Sequence, residues 1–179
     1  MKKFLKIIGG ILLLLIAFVL IAGIFVSKTY HIDKSITINA PLEKVWNNIN
    51  SLQSMVKWSP WLDADPNVKT SFDGQEGVIG SSYKWDGNSD VGSGIQTITK
   101  IEQPKRMDSR LHFIRPFEGN ADTFVELSND GSGTKATWSF DTKYKYPMNV
   151  MQLFINMDDM MGKQFDKGLG KLKTLSEAN

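Results

Sequence analysis

His31 and His112 are the only histidines in this chain, and it has no cysteine. Thiolate metal sites, cysteine nucleophiles and disulfides are therefore excluded, and a histidine metal site or Ser-His-Asp arrangement has little to build on. Two loops carry clustered acids and amides: Asp63, Asp65 and Asn67, then Asp86, Asn88 and Asp90. Both imitate the start of a calcium loop. Neither has glycine at the sixth position or glutamate at the twelfth, so both read as solvated turns. Gly92-Ser-Gly94 lies between strand-like runs and lacks the strand-to-helix setting of a phosphate loop. Arg110, Arg115, Asp122 and Glu126 supply acid-base groups to an interior only if their strands slip by one residue. Inward Ser109, Thr123 and Thr134 are weak nucleophiles unaided. No catalytic residue, metal or cofactor is assigned on these grounds.

The elements that position these residues begin with an apolar segment. Ile7 to Val26 holds no charged or strongly polar side chain, and as a helix those residues span about 30 Å, the thickness of a bilayer core. The alternative is a cleaved signal peptide. The length of the run, and the want of a clean A-x-A site before Ser27, argue for an uncleaved anchor. By the positive-inside rule Lys2, Lys3 and Lys6 stay in the cytoplasm, which sends the following domain to the extracytoplasmic face of a single-pass protein; Lys28 and Lys34 follow on that side. The expected division is residues 1–30 as cytoplasmic tip and anchor, and residues 31–179 as one domain. Four of the 21 basic residues and none of the 19 acidic ones lie in the first 30 positions, leaving 17 against 19 for the rest. So near-neutral a domain gives no electrostatic footprint for nucleic acid.

From Tyr30 onward short alternating runs take over. HIDKSITIN puts Ile32, Ile36 and Ile38 on one strand face. Pro41 starts a short helix carrying Leu42, Val45, Trp46 and Ile49, and Ser51 caps another that Ser59-Pro60 ends. Six strands follow. Tyr83 and Trp85 share a face, as do Met107, Ser109, Leu111 and Phe113, then Thr123, Val125 and Leu127, then Ala136, Trp138 and Phe140. In GIQTITKIE the isoleucines at 95, 98 and 101 break the period of two, which predicts a bulge. A long helix is expected from Met148 to Ser176, its stripe running through Val150, Phe154, Met157, Met161, Phe165, Gly168, Leu172 and Leu175. Gly162, Gly168 and Gly170 each cost such a helix about 1 kcal/mol against alanine, which close packing or room for a ligand would explain; for Gly170 a surface position of no consequence is an equal alternative. This order of elements gives an α+β domain, an antiparallel sheet with helices on one face.

INAPLEKVWNNI, KWSPW, GIQTITKIEQPKRM and FDKGLGKLK, in that order, resemble the START-like helix-grip superfamily, also called SRPBCC, and within it the polyketide cyclase/dehydrase-type members. The resemblance covers about residues 31 to 176, by pattern reading. It implies a curved seven-stranded sheet wrapped around the C-terminal helix, two short helices after the first strand, and an elongated apolar cavity between sheet and helix. It carries over no catalytic residue, because the superfamily has no universal catalytic motif; lipid carriers, hormone receptors, cyclases and hydrolases all belong to it.

Against that frame Trp58 reads as core and Trp61 as cavity rim. Trp85, Phe113 and Trp138 point from separate strands toward Phe154, Met157 and Met161, and Gly168 leaves room beside them. These eight residues, Trp61 to Gly168, form the candidate ligand site. Flexible methionines on the long helix suit a variable apolar ligand. The leading function is a membrane-anchored binding module for an apolar small molecule or lipid. The alternatives are an enzyme of cyclase, dehydratase or hydrolase type, which needs an ionisable group inside the cavity, and a protein-interaction module whose interior is filled.

Overall fold

The computed structural model describes residues 1–178. Helix α1 (Lys2–Phe25) is long and apolar enough to cross a membrane, and nearly all of it is exposed. Strand β1 (Thr29–Ile38) follows it after a three-residue link and leads into short helices α2 (Leu42–Trp46) and α3 (Leu52–Val56). The Ser51 hydroxyl accepts from the Ser54 amide at 3.1 Å, the N-cap its type suggested. A 3₁₀ turn (Trp61–Ala64) precedes strands β2 (Lys69–Asp73), β3 (Ser82–Asp86), β4 (Ser93–Glu102), β5 (Arg106–Arg115), β6 (Gly119–Asp130) and β7 (Gly133–Lys143). A second 3₁₀ turn (Met148–Leu153) and helix α4 (Met157–Glu177) complete the chain.

All seven strands form one antiparallel sheet ordered β1-β7-β6-β5-β4-β3-β2. The first strand closes onto the last. Alternation sets the faces: Met107, Ser109, Thr123, Val125, Leu127, Ala136, Trp138 and Phe140 are all buried on the concave side. The broken isoleucine period does mark an irregularity, a register shift between Ile98 and Lys100 opposite β5. On the helical side Val45, Trp46, Ile49, Leu52, Phe165, Leu169 and Leu172 fill the core.

The long helix differs from its expectation. Residues 148 to 153 form the 3₁₀ turn, and α4 begins only at Met157, where the Asn156 side chain accepts from the Asp159 amide at 3.0 Å. Asparagine at an N-cap with two acids in the first turn is a start signal, and it outweighs the apolar stripe that runs across it. The stripe also ends differently. Leu175 is exposed and Ser176 is buried instead, held by a 3.0 Å hydrogen bond from Asn48. The two acidic loops are not simply solvated turns either. Asp65 is buried, and its carboxylate accepts from the amides of Asn67 (2.9 Å) and Asn88 (2.8 Å), which ties one loop to the other.

Candidate functional site

Sheet and helix do not fill the space between them. A cavity of about 1270 Å³ lies there, walled by the concave face of the sheet, α4 and the second 3₁₀ turn. Small-molecule pockets run to roughly 300–1,000 Å³, so this one has room for a ligand on the scale of a lipid chain. Its aromatic wall is built across strands. Trp85 on β3 faces Gly94 on β4, which faces Phe113 on β5. A Cβ at Gly94 would lie 2.5 Å from the Trp85 ring, so only glycine lets the indole lie over β4 and meet Phe113 edge-on at 6.0 Å. Tyr83 stacks on Trp85 at 6.0 Å.

The deeper wall is fixed by Trp138. Its ring stacks on Phe165 at 4.2 Å, meets Trp58 edge-on at 5.0 Å, and its Nε1 donates to Thr123 Oγ1 at 3.1 Å. Trp58 is wholly buried and donates to the Asn48 carbonyl at 2.9 Å, as a core residue would. Trp61 borders the cavity and is 37% exposed. Its 3₁₀ turn is pinned to α4 by the Asp63 carboxylate, which receives Lys167 (2.8 Å) and Lys171 (2.7 Å). Those two ammonium groups, Lys167 foremost, hold the Asp63 carboxyl below the usual carboxylate range.

Of the eight residues singled out in the sequence, Trp61, Trp85, Phe113, Trp138, Met157 and Met161 border the cavity. Phe154 and Gly168 do not. Phe154 ends the second 3₁₀ turn, outside α4, and is 73% exposed. Gly168 faces the closed part of the core: a Cβ there would lie 2.7 Å from Trp138 and 3.1 Å from Pro60. Its purpose is close packing. Cavity-lining residues that sequence reasoning did not single out include Tyr30, Tyr83, Leu111, Tyr144, Met151 and Ile155. Strand phase pointed to Tyr83 and Leu111, whereas Met151 and Ile155 depend on the helix break.

Every carboxylate, lysine, arginine and histidine that borders the cavity is exposed. Arg110 is paired with Asp122 at 2.8 Å, and His31 with Asp141 at 2.8 Å. The inward register of β5 and β6 matches the sequence pattern, so no slip brings Arg110, Asp122 or Glu126 inside. The ionisable groups of the inner wall are tyrosines. Burial pushes Tyr83 up to about 12 and raises Tyr144. Tyr30 is raised by burial first and by the nearby Asp158 carboxylate second, although no hydrogen bond closes between them. All three stay neutral at physiological pH, and the Tyr30 and Tyr83 hydroxyls have no hydrogen-bond partner.

The comparisons with known proteins agree with this geometry. A family described as "Polyketide cyclase / dehydrase and lipid transport" matches residues 29–177, the whole sheet and α4. The chain belongs to that family. Comparison with curated protein sequences gives no match. Solved structures of similar shape include the protein CV1439 from Chromobacterium violaceum, with a TM-score of 0.59 and 13% identity over 85% of this chain and 99% of that one. A protein from Thermobifida fusca reaches a TM-score of 0.61 at 14% identity, covering 82% and 92%. Ara h 8.0201 gives 0.55 at 15% identity, covering 82% and 99%. At such identities the likeness is one of fold alone. In this polyketide cyclase family member the fold is joined to an apolar N-terminal helix.

Proposed function

We propose that this family member is a membrane-anchored binding module for an apolar small molecule or lipid. Helix α1 acts as the anchor, and the chain from β1 onward, where the family match begins at residue 29, as the ligand domain. The observation that carries the reading is the open, aromatic-walled cavity of about 1270 Å³ with its charged groups kept to the exposed border. Trp61, Trp85, Phe113, Trp138, Met157 and Met161 form the contact surface for the ligand. Burying apolar ligand surface against them is favourable at about 25 cal/mol per Å², and no desolvated charge opposes it. The enzyme alternative needs a base as well as an acid within reach of an enclosed substrate; the neutral tyrosines offer only proton donors, and the charged groups stay at the exposed border. In this reading lysines 2, 3 and 6 stay in the cytoplasm, and the positive-inside rule supports an extracytoplasmic domain.

A fatty-acid titration tests the binding reading. In detergent-free solution, residues 27–179 should show a saturable change in tryptophan fluorescence, because Trp61, Trp85 and Trp138 all border the cavity. Leu111→Glu sets a carboxylate on the wall and should weaken that binding by at least about tenfold, equivalent to 1.4 kcal/mol. A response that never saturates, or that Leu111→Glu leaves unchanged, would refute it.

A further inference from the structure

One face of the last turn of α1 meets the domain. A helix ends with four carbonyls that have no partner inside it. Here Asn149, wholly buried in the second 3₁₀ turn, donates from Nδ2 to the carbonyls of Gly23 (2.8 Å) and Val26 (2.9 Å). Gln152 donates to Ser27 O at 2.8 Å, and Tyr146 Oη to Leu20 O at 2.9 Å. Gly23 is the only buried residue of α1, and a Cβ there would lie 2.9 Å from the Tyr146 ring and 3.3 Å from Val150. Three residues separate α1 from β1. Hydrogen bonds and close packing therefore clamp the domain to the end of the helix.

The clamp fixes which end of the domain faces the plane where α1 ends. The register puts the start of β1 beside the end of β7 (Thr29 opposite Lys143), and the start of β6 beside both the end of β7 and the end of β5. The β5–β6 hairpin tip therefore lies at the anchored end, as does the start of α4, near Tyr30. Large apolar side chains are exposed there: Leu153, Phe154 and Ile155 after the clamp, and Phe117, 66% exposed, on the hairpin tip. Phe117, Met151 and Ile155 also border the cavity, so an apolar surface runs from α1 across the clamp into its mouth. Lys28, Lys143 and Lys145 stand there with Glu118, Asp141 and Asp158, so charge is balanced and gives no preference for an anionic partner.

We propose that Leu153–Ile155 and Phe117 seat in the interface of the leaflet where α1 ends, so that the cavity opens into the bilayer and takes a lipid acyl chain directly from it. This rests on the anchored-binding reading above. It commits the ligand to a membrane lipid and its route to lateral entry, without passage through water. Amphipathic surfaces held at an interface bury their apolar side chains into the headgroup–acyl boundary, and the exposed residues named here are of that kind.

The chain has no cysteine, so single cysteines can be placed for labelling. Phe154→Cys, Leu14→Cys in α1 and Lys135→Cys at the far end of β7 would each carry an environment-sensitive fluorophore in the full chain, reconstituted into phosphatidylcholine vesicles. Quenching by nitroxide on the lipid chains should be several-fold stronger at position 154 than at 135, with position 154 shielded from aqueous iodide and unaffected by salt. Position 14 reports the anchor. If 14 is quenched and 154 behaves like 135, the docking is overturned while the anchored reading stands; if neither 14 nor 154 is quenched, both fall. Gly23→Leu, which forces Tyr146 and Val150 off the helix, should release the quenching at 154 and leave 14 unchanged; quenching that persists overturns the clamp. A phosphatidylcholine with a photoreactive acyl chain should crosslink to cavity residues such as Leu111 and Met161, and crosslinks confined to α1 would overturn lateral entry.

Discussion

Two glycines of α4, two residues apart, should respond to alanine differently. Alanine gains about 1 kcal/mol of helix propensity over glycine at either position. At Gly170 nothing lies within 4 Å of a built Cβ, so the gain stands and Tm should rise by about 2 to 4 °C. At Gly168 the new methyl would lie 2.7 Å from Trp138 Cζ3 and 3.1 Å from Pro60 Cδ. Trp138 could yield only toward the cavity it borders, and doing so would break its stack on Phe165, its edge-on contact with Trp58 and its hydrogen bond to Thr123. Overpacking of this kind costs about 1 to 3 kcal/mol. The propensity term cancels between the two variants. Gly168→Ala should thus fall below Gly170→Ala by about 1 to 3 kcal/mol, or roughly 2 to 12 °C in a domain of this size. Thermal unfolding followed by near-ultraviolet circular dichroism of residues 27–179 measures both. Equal increases in Tm would refute the reasoning, because they would mean that the Trp138 wall gives way and that Gly168 is not there for close packing.

Three further outcomes follow from the same packing and charges. Trp46→Ala and Leu172→Ala empty buried core positions and should cost about 3 to 5 and about 2 to 5 kcal/mol, while exposed Lys135→Ala stays within about 0.5 in denaturant unfolding; similar small effects at all three would mean the faces are misassigned. The His31 pKa is raised, first by its hydrogen bond to Asp141 and then by Asp33, so its contribution is complete below the unfolded value near 6.5 and is lost as pH rises through the folded value. His31 is half exposed, so the effect should not exceed about 1 kcal/mol, and Tm should fall slightly on going from pH 6 to pH 9 in a way that His31→Gln abolishes; an identical slope in the variant contradicts this. A reporter fused after Asn179 should be accessible outside the cytoplasm, with the mature N-terminus at Met1; sequencing that starts near residue 24 would remove the anchor.

The sheet was legible in the sequence because one of its faces is buried. A strand with one wet and one dry side has to alternate, and Met107, Ser109, Thr123, Val125, Ala136 and Trp138 keep that phase. The bulge at Ile98 was legible as a failure of the same alternation. The cavity wall inherits its residues from strand phase, so Trp85, Phe113 and Trp138 were legible as facing one interior. The break before α4 was harder. Phe154 continues the apolar spacing of the helix, but the Asn156 cap and the pull of Asn149 and Gln152 on the carbonyls of α1 turn it outward. That pull joins residues more than a hundred positions apart, and periodicity carries no record of such pairs. Gly94 and Gly168 illustrate the same limit: each is a glycine because of an indole reaching it from another element.

The space beneath α4 is expected to hold an apolar molecule. Native mass spectrometry of the full chain purified from its own cells, released from its membrane environment and activated stepwise, tests it most directly. The expected spectrum contains the 20.1 kDa chain carrying one apolar molecule of discrete mass after loosely held lipids have been stripped, with that adduct lost in Leu111→Glu. A bare chain at the mildest activation, or an adduct that Leu111→Glu retains in full, would contradict it.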